Sequence, residues 1–447
     1  MKKIVLLLVF MTVFCSLHAQ NVTITPSGIT PALSGTYPRI SYDAILALPS
    51  PVLGDMAYDI TFKCLRSYNG SKWICSYQSP TDPTNILAIA SAGGTSIDAG
   101  NSIAVDALGN VYVTGSYDGT ANFGGTSITS LGGIFIAKYN SSGTIQWVRS
   151  AGGTTTDYAL GIAVDASGSV YVTGYYQGTS TFGGTSISSV GSNADIFVAK
   201  YSSAGVFQWV RSAGGAGSDI AAGIDVDGSG NVYVTGRYEG TATFGGLFTT
   251  SVGNKDIFVA KYNSSGTVQW VRSGGGAGFD EGTSIAVDGL GNVYVTGQHI
   301  GTLTFDGTTI VLANHINIFV TKYNSAGTFQ WARSAGGTGF DEGNGIAVDA
   351  SNNVYLTGRY DGTANFGGTL IASAGGSDVF VAKYNSAGTA QWARSAGGAS
   401  NEFGLSIAVY GLGNIYVTGF YNGTARFGGS SITSVGNTDI FVARMDN

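Results

Sequence analysis

From Ile86 onward, apolar and polar side chains alternate in short runs, each bounded by Gly, Asn or Ser. This alternation predicts β-strands, because successive side chains on a strand point to opposite faces. One representative stretch holds four of them: GIDVD (223–227), NVYVTG (231–236), DIFVAKY (256–262) and TVQWVRS (267–273). Between the second and third lies TATFGGLFTTSVG (241–253), read as an extra β excursion. No stretch in this region has helical periodicity of useful length.

The four-strand pattern recurs. Trp147, Trp209, Trp270, Trp331 and Trp392 are spaced by 62, 61, 61 and 61 residues. Tyr112, Tyr171, Tyr233, Tyr294, Tyr355 and Tyr416 each sit in a [VI]-Y-[VL]-T-G element. Phe123, Phe182, Phe244, Phe305, Phe366 and Phe427 follow in F-[GD]-G or its equivalent, making six repeats. Four short antiparallel strands repeated in this way predict an all-β fold, a β-propeller. The sixth repeat ends at DIFVARMDN, after its third strand. ILAIASAGG (86–94) aligns with the fourth strand VQWVRSGGG, with Ala88 in place of Trp. The expectation is a six-bladed ring, closed when residues 86–91 complete the blade begun at residue 402. Closure would cover the sheet edges that an open array exposes.

The N-terminal portion differs. Residues 1–19 read as a secretory signal peptide: Lys2 and Lys3, an apolar run from Ile4 to Phe14, and a cleavage site at Leu17-His18-Ala19. The apolar run is short for a membrane span. Residues 20–76 read as a polar leader, a short helix over Tyr42–Leu48, and a small β-meander made of MAYDI, CLRSY and SKWIC. Residues 77–85 read as a linker, and 86–447 as the propeller. If Asn69-Gly70 forms a two-residue hairpin turn, residues opposite each other have indices summing to 139, as 64 and 75 do. That register predicts a Cys64–Cys75 cross-strand disulfide, in keeping with export to an oxidising compartment.

Composition narrows the partners. Gly is abundant (70 residues) and Pro scarce (7), so the glycines punctuate turns and do not form a disordered linker. Removing residues 1–19 takes away two of 21 basic residues and none of 27 acidic ones, leaving a formal charge of −8. This argues against nucleic acid or an anionic membrane as partner.

The element I-A-V-D-x-x-G-N-V-Y-V-T-G followed by D-I-F-V-A-K-Y-N-x-x-G resembles the bacterial β-propeller repeat family called SBBP, over residues 86–447. The family name implies seven blades, whereas six repeats are present here. The resemblance implies an exported, repeat-built protein, usually without assigned catalysis. The pattern YPRxxYxxIxALPxPxxGxMxYD…LRxYNGxxW resembles a small β-meander of bacteroidete surface proteins and phage tail-fibre modules, which implies an accessory module. AKYNSSGTIQW (137–147) is similar to the tryptophan-docking repeat of quinoprotein dehydrogenases. Tyr139 replaces its usual Asp, however, the repeats number six and not eight, and no adjacent cysteine pair is present. The five Trp residues are therefore read as packing between blades.

The candidate chemistry is recurrent. Asp98, Asp157, Asp219, Asp280 and Asp341, with Asn401 assigned to the sixth place, precede the first strand of each repeat. If that strand lines the channel, they ring one mouth of it. The functional reading is a cation or polar-ligand site; the structural one is that each accepts backbone N–H groups in its own loop. Asp106, Asp165, Asp227, Asp288 and Asp349 end the first strand as turn residues, with Tyr410 in the sixth repeat. Asp225-Val-Asp227-Gly-Ser229-Gly230 is a fragmentary calcium loop without its bidentate Glu. The recurrent Lys138- and Arg149-type positions are read as solvated or paired surface charge. His299, His315 and Asp306 make the fourth repeat the most divergent. There is no G-x-S-x-G and no sialidase-type Asp box.

These readings converge on an exported, non-catalytic propeller that binds a protein or glycan or acts as a surface scaffold. No catalytic residue, metal site or cofactor is assigned. One alternative is a polysaccharide-acting enzyme with its site at the channel mouth, built on Tyr410, Asn401, His299, His315 or Asp306. Another is a calcium-stabilised structural protein. Location is the medium or cell surface, with the periplasm open.

Overall fold

The computed structural model describes residues 91–155, 157–410 and 413–446, with backbone alone at 312–314. N-terminal to these it describes the backbone of strands Ile24–Thr25, Gly28–Ile29, Arg39–Ile40, Met56–Asp59, Cys64–Tyr68 and Trp73–Gln78. The chain divides into two compact units, Met1–Leu87 and Ala88–Asn447.

The second unit is all-β among the described residues, with its strands in antiparallel sheets consistent with a β-propeller. In the stretch chosen above, Ile220–Val226, Val232–Tyr238, Asp256–Tyr262 and Val268–Gly275 pair in chain order. Val or Leu and Tyr alternate along the second strand of the second to fifth repeats, and both faces are buried between neighbouring sheets. Such two-sided burial suits β-branched and aromatic side chains. The Thr of each V-T-G donates its hydroxyl to the carbonyl of the Phe in the adjacent strand, as Thr235 does to Phe258 O at 2.8 Å. The hydroxyl is thus satisfied inside the sheet.

The extra excursion is a hairpin, Thr241–Phe244 with Leu247–Thr250. It extends the sheet of the preceding repeat: Ala213 pairs with Phe244, Gly214 with Thr243 and Gly215 with Ala242. The same hand-over recurs at Gly397–Arg426, Gly274–Phe305 and Ala92–Phe123. Apolar cores lie between successive repeats. One holds Ile196, Val198 and Trp209 of one repeat against Val232, Val234, Phe258 and Tyr262 of the next. Each fully buried side chain of this kind contributes about 1.5–3 kcal/mol.

The two ends of the repeat series are different. The first-strand isoleucines Ile162, Ile224, Ile285, Ile346 and Ile407 are at most 9% exposed, whereas Ile103 of the first repeat is 65% exposed. On the third strand, Ile257 and Val259 are 0% and 1% exposed, whereas Ile440 and Val442 of the last repeat are 83% and 75% exposed. The last repeat forms a three-stranded sheet of Glu402–Tyr410, Asn414–Tyr421 and Asp439–Met445. The segment expected to complete it, 86–91, lies outside the described residues apart from Ser91.

In the first unit, Arg39–Ile40, Met56–Asp59, Cys64–Tyr68 and Trp73–Gln78 form one sheet, with the first pair parallel. The register corrects the cysteine expectation. Tyr68 pairs with Trp73 and Arg66 with Cys75, while Cys64 pairs with Gln78. Opposed residues near the strand ends thus sum to 141 and not 139, and a bulge between Leu65 and Arg66 shifts the register again. The direct opposition of Cys64 and Cys75 is not formed. The last strand also reaches Gln78, two residues into the expected linker. The expected signal peptide and the Tyr42–Leu48 helix lie outside the described residues.

Candidate functional site

The recurrent aspartates before the first strands are buried at the seams. Asp157, Asp219, Asp280 and Asp341 are fully buried, and Asp98 is half-buried. Each accepts the N–H of the glycine four residues earlier, from Gly94, Gly153, Gly215, Gly276 and Gly337, at 2.6–2.8 Å. The other oxygen accepts a second backbone N–H in the inner repeats, for example from Glu239 to Asp219 at 3.0 Å. Burial raises the carboxyl of Asp219 to about 6 and that of Asp280 to about 7. The sixth place is corrected. Gly398 N donates to Glu402 Oε2 at 2.7 Å, so Glu402 and not Asn401 is the equivalent residue. Asn401 is exposed and accepts from Ser377 N.

A second carboxylate stands beside this one. Asp195, Asp256 and Asp378 open the third strands and are buried. Burial raises Asp195 to about 6, and the neighbouring Asp219 pushes in the same direction. These residues open the D-I-F-V-A-K element, where alternation alone reads them as part of a strand. A charged residue opening an otherwise apolar strand is the signal that could have singled them out.

The aspartates ending the first strands are local. Asp227 accepts from the N–H groups of Ser229 and Asn231, from the Asn231 side chain and from Tyr233 Oη. Burial works against ionisation, but these bonds outweigh it and hold the carboxyl below its ordinary range. Asp225 turns away from Asp227 and accepts from Val287 N in the next repeat at 2.8 Å. The two carboxylates of the calcium-loop fragment therefore do not converge.

The Trp, Lys and Arg positions act together. Trp209 Nε1 donates to Ser264 O of the next repeat's turn at 3.2 Å, Arg211 Nε to Gly266 O at 2.9 Å and Lys200 Nζ to Ser264 O at 3.3 Å. The same bonds recur for Trp147, Trp270 and Trp331. Arg211 lies over the Trp209 ring and Lys200 over Tyr171. Gly266, at φ 78°, lies against the Trp209 ring, where an added Cβ would come within 2.8 Å of it. The recurrent cations thus tie one repeat to the next while remaining partly exposed. Trp392 keeps its cation, with Arg394 over its ring.

The divergent positions of the fourth repeat have structural partners. His299 is fully buried where other repeats have Tyr, and its Nε2 lies 2.7 Å from Ser334 Oγ, as Tyr238 Oη does from Ser273 Oγ at 2.6 Å. Burial lowers its pKa to about 4. Asp306 takes a left-handed turn conformation at φ 48°. His315 is exposed, as is Tyr410 in the last repeat. Among the described residues no group of three or more His, Cys, Asp and Glu is placed to hold a metal ion. No helix there is long and apolar enough to cross a membrane.

A shallow groove lies beside one of the hairpins. It is lined by Leu247, Phe248, Gln269, Trp270 and Arg272. Phe248 is 74% exposed, at a hairpin position that is Ser or Thr in most other repeats.

Residues 208–237 and 269–298 match the SBBP beta-propeller repeat. The chain is 27% identical over 432 residues to an uncharacterized WD repeat-containing protein, L264, of Acanthamoeba polyphaga mimivirus, covering 75% of this chain and 31% of that protein. It is also 27% identical over 380 residues to the regulatory protein FlaEY of Caulobacter vibrioides, covering 76% and 38%. The chain thus spans about a third of the length of these curated relatives. A crystal structure of a protein of unknown function from Bacteroides caccae aligns over 63% of this chain and 78% of that one, at 12% identity and a TM-score of 0.35.

Proposed function

Since the chain carries β-propeller repeats of the SBBP type, we propose that it is an exported binding or scaffold module without catalysis of its own. One observation supports this above the others. The recurrent charged and polar side chains are bonded into their own repeat or the next one, so ligand recognition falls to positions where the repeat is broken on the surface. The groove beside Phe248 is such a position. An exposed aromatic ring next to Gln269 and Arg272 suits a ligand with one apolar face and several hydroxyls, which is the chemistry of a glycan.

The test is a screen of the full chain on a glycan array and against a panel of surface proteins, with Phe248→Ser alongside. Glycan binding that is lost in the variant is the expected result. Binding unchanged by the variant would move the site elsewhere, and turnover of a polysaccharide would replace the reading with the enzyme one.

The blades of this module form a six-bladed closed ring in our reading. The exposed face of the first repeat (Ile103, Val105) and that of the last (Tyr416, Ile440, Val442) carry the side chains that pack against each other at every inner seam. Joining them covers both.

A further inference from the structure

Three of the five inner seams bury two carboxylates over one glycine. An added Cβ at Gly214 would stand 2.6 Å from Asp195 Oδ1 and 2.8 Å from Asp219 Oδ2. At Gly397 it would stand 2.6 Å from both Asp378 Oδ1 and Glu402 Oε2. At Gly275 it would meet Asp256 Oδ2 at 2.2 Å and Oδ1 at 2.5 Å, with Asp280 acting on the same seam. Only a residue without a side chain leaves that point open.

The oxygens around it are not all satisfied. Asp195 Oδ2 accepts from Val190 N and Asp256 Oδ2 from Val252 N, both at 2.9 Å. Asp378 Oδ2 accepts from Ala374 N at 3.1 Å and Ser395 Oγ at 3.2 Å. Asp195 Oδ1, Asp256 Oδ1, Asp378 Oδ1 and Glu402 Oε1 are without a hydrogen-bond partner, on residues no more than 2% exposed. Paired buried carboxylates in this condition are costly unless a positive charge joins them.

The first seam is built differently. Gly133 stands where Asp195 would be, and Asp157 there takes a hydroxyl bond from Ser180 at 2.8 Å in addition to its backbone donors. Where the second carboxylate is present, the Ser180 position is Ala242, Leu303 or Ala425. The seam of Asp341 also lacks the second carboxylate, with Asn317 in its place, and there the Ser180 position is Ala364.

We propose that the pairs Asp195/Asp219, Asp256/Asp280 and Asp378/Glu402 each bind a calcium ion that ties one repeat to the next. The donors are all oxygen, which selects a hard cation, and exported modules bind calcium with Kd on the order of 10⁻⁴–10⁻³ M. This places calcium at the seams, and not in the Asp225–Gly230 fragment. It is independent of the glycan reading.

The test uses the full chain, stripped with EDTA and titrated with CaCl2 at pH 7.5 by calorimetry, with melting curves in calcium and in EDTA. Calcium should bind at a stoichiometry near three and raise Tm. The triple variant Asp195→Asn, Asp256→Asn, Asp378→Asn should lose both effects. Should it fail to fold, Asp256→Asn alone is expected to lower the stoichiometry by one. Identical melting in calcium and EDTA with no heat of binding would overturn the proposal, leaving a shared proton as the bridging charge. A calcium response unchanged in the variants would overturn the location.

Discussion

Ile257 and Ile440 hold the same place in their repeats, yet one is fully covered and the other is 83% exposed. Their neighbours differ in the same way. Tyr233 is buried between two sheets, while its equivalent Tyr416 is 37% exposed. Local sequence does not cause the difference, because the strands DIFVAKY and DIFVARM are almost identical. It comes from position in the series. An inner repeat is covered on both faces, whereas the outward faces of the first and last repeats are exposed. The comparison teaches that each repeat carries two complementary faces and that stability resides mainly in their contact, as in other repeat-built proteins.

The largest effect is expected at an inner seam. Trp270→Ala removes the indole, its bond to Ser325 O and the surface under Arg272, and should cost about 3–5 kcal/mol in urea unfolding. The sharpest test of the comparison is Ile257→Ala beside Ile440→Ala. Ile257→Ala should cost about 2–5 kcal/mol. If the ends meet in a ring, Ile440→Ala should approach the same cost. A loss within about 0.5 kcal/mol, as for a surface site, would leave the ends apart.

A third test titrates the fourth repeat. Burial depresses His299 to about 4, so the folded chain resists protonation there while the unfolded chain protonates near 6.5. Its contribution is complete above about pH 6.5 and is lost as pH falls toward 4, at up to about 1.4 kcal/mol per pH unit. The buried aspartates with raised pKa values act in the opposite direction over part of this window, so the difference between His299→Tyr and the parent is the quantity to measure. That variant restores the residue of the other repeats and should retain more stability at pH 5. Equal pH profiles would place the proton elsewhere. The smallest effect is expected from Glu342→Gln, which breaks a partly exposed pair with Arg359 and should cost under about 1 kcal/mol.

The strands and their repeat were legible because alternation and spacing act over a few residues and recur. The hairpin at Thr241–Thr250 was visible as an excursion, but not its attachment to the preceding sheet, which joins residues 31 positions apart with no side-chain signature. The sequence marks the Lys200 and Arg211 positions as solvated or paired surface charge but not their partners, which are backbone carbonyls of the next repeat's turn. Glu402 is not legible as the sixth member because a longer side chain makes the same bond and an amide stands one residue before it. The cysteine register failed because opposed residues near the strand ends sum to 141 and a bulge follows, neither of which the residues between Cys64 and Cys75 announce.

The hand-over of each hairpin to the sheet before it also orders events during synthesis. The outer edge formed by Ala213–Gly215 has no partner until Ala242–Phe244 has been made. At about 5–20 residues per second this is a wait of roughly 2–6 s. During that interval every newly made sheet presents an open edge to its surroundings, and only the arrival of the next repeat removes it. The chain therefore matures one step behind its own elongation.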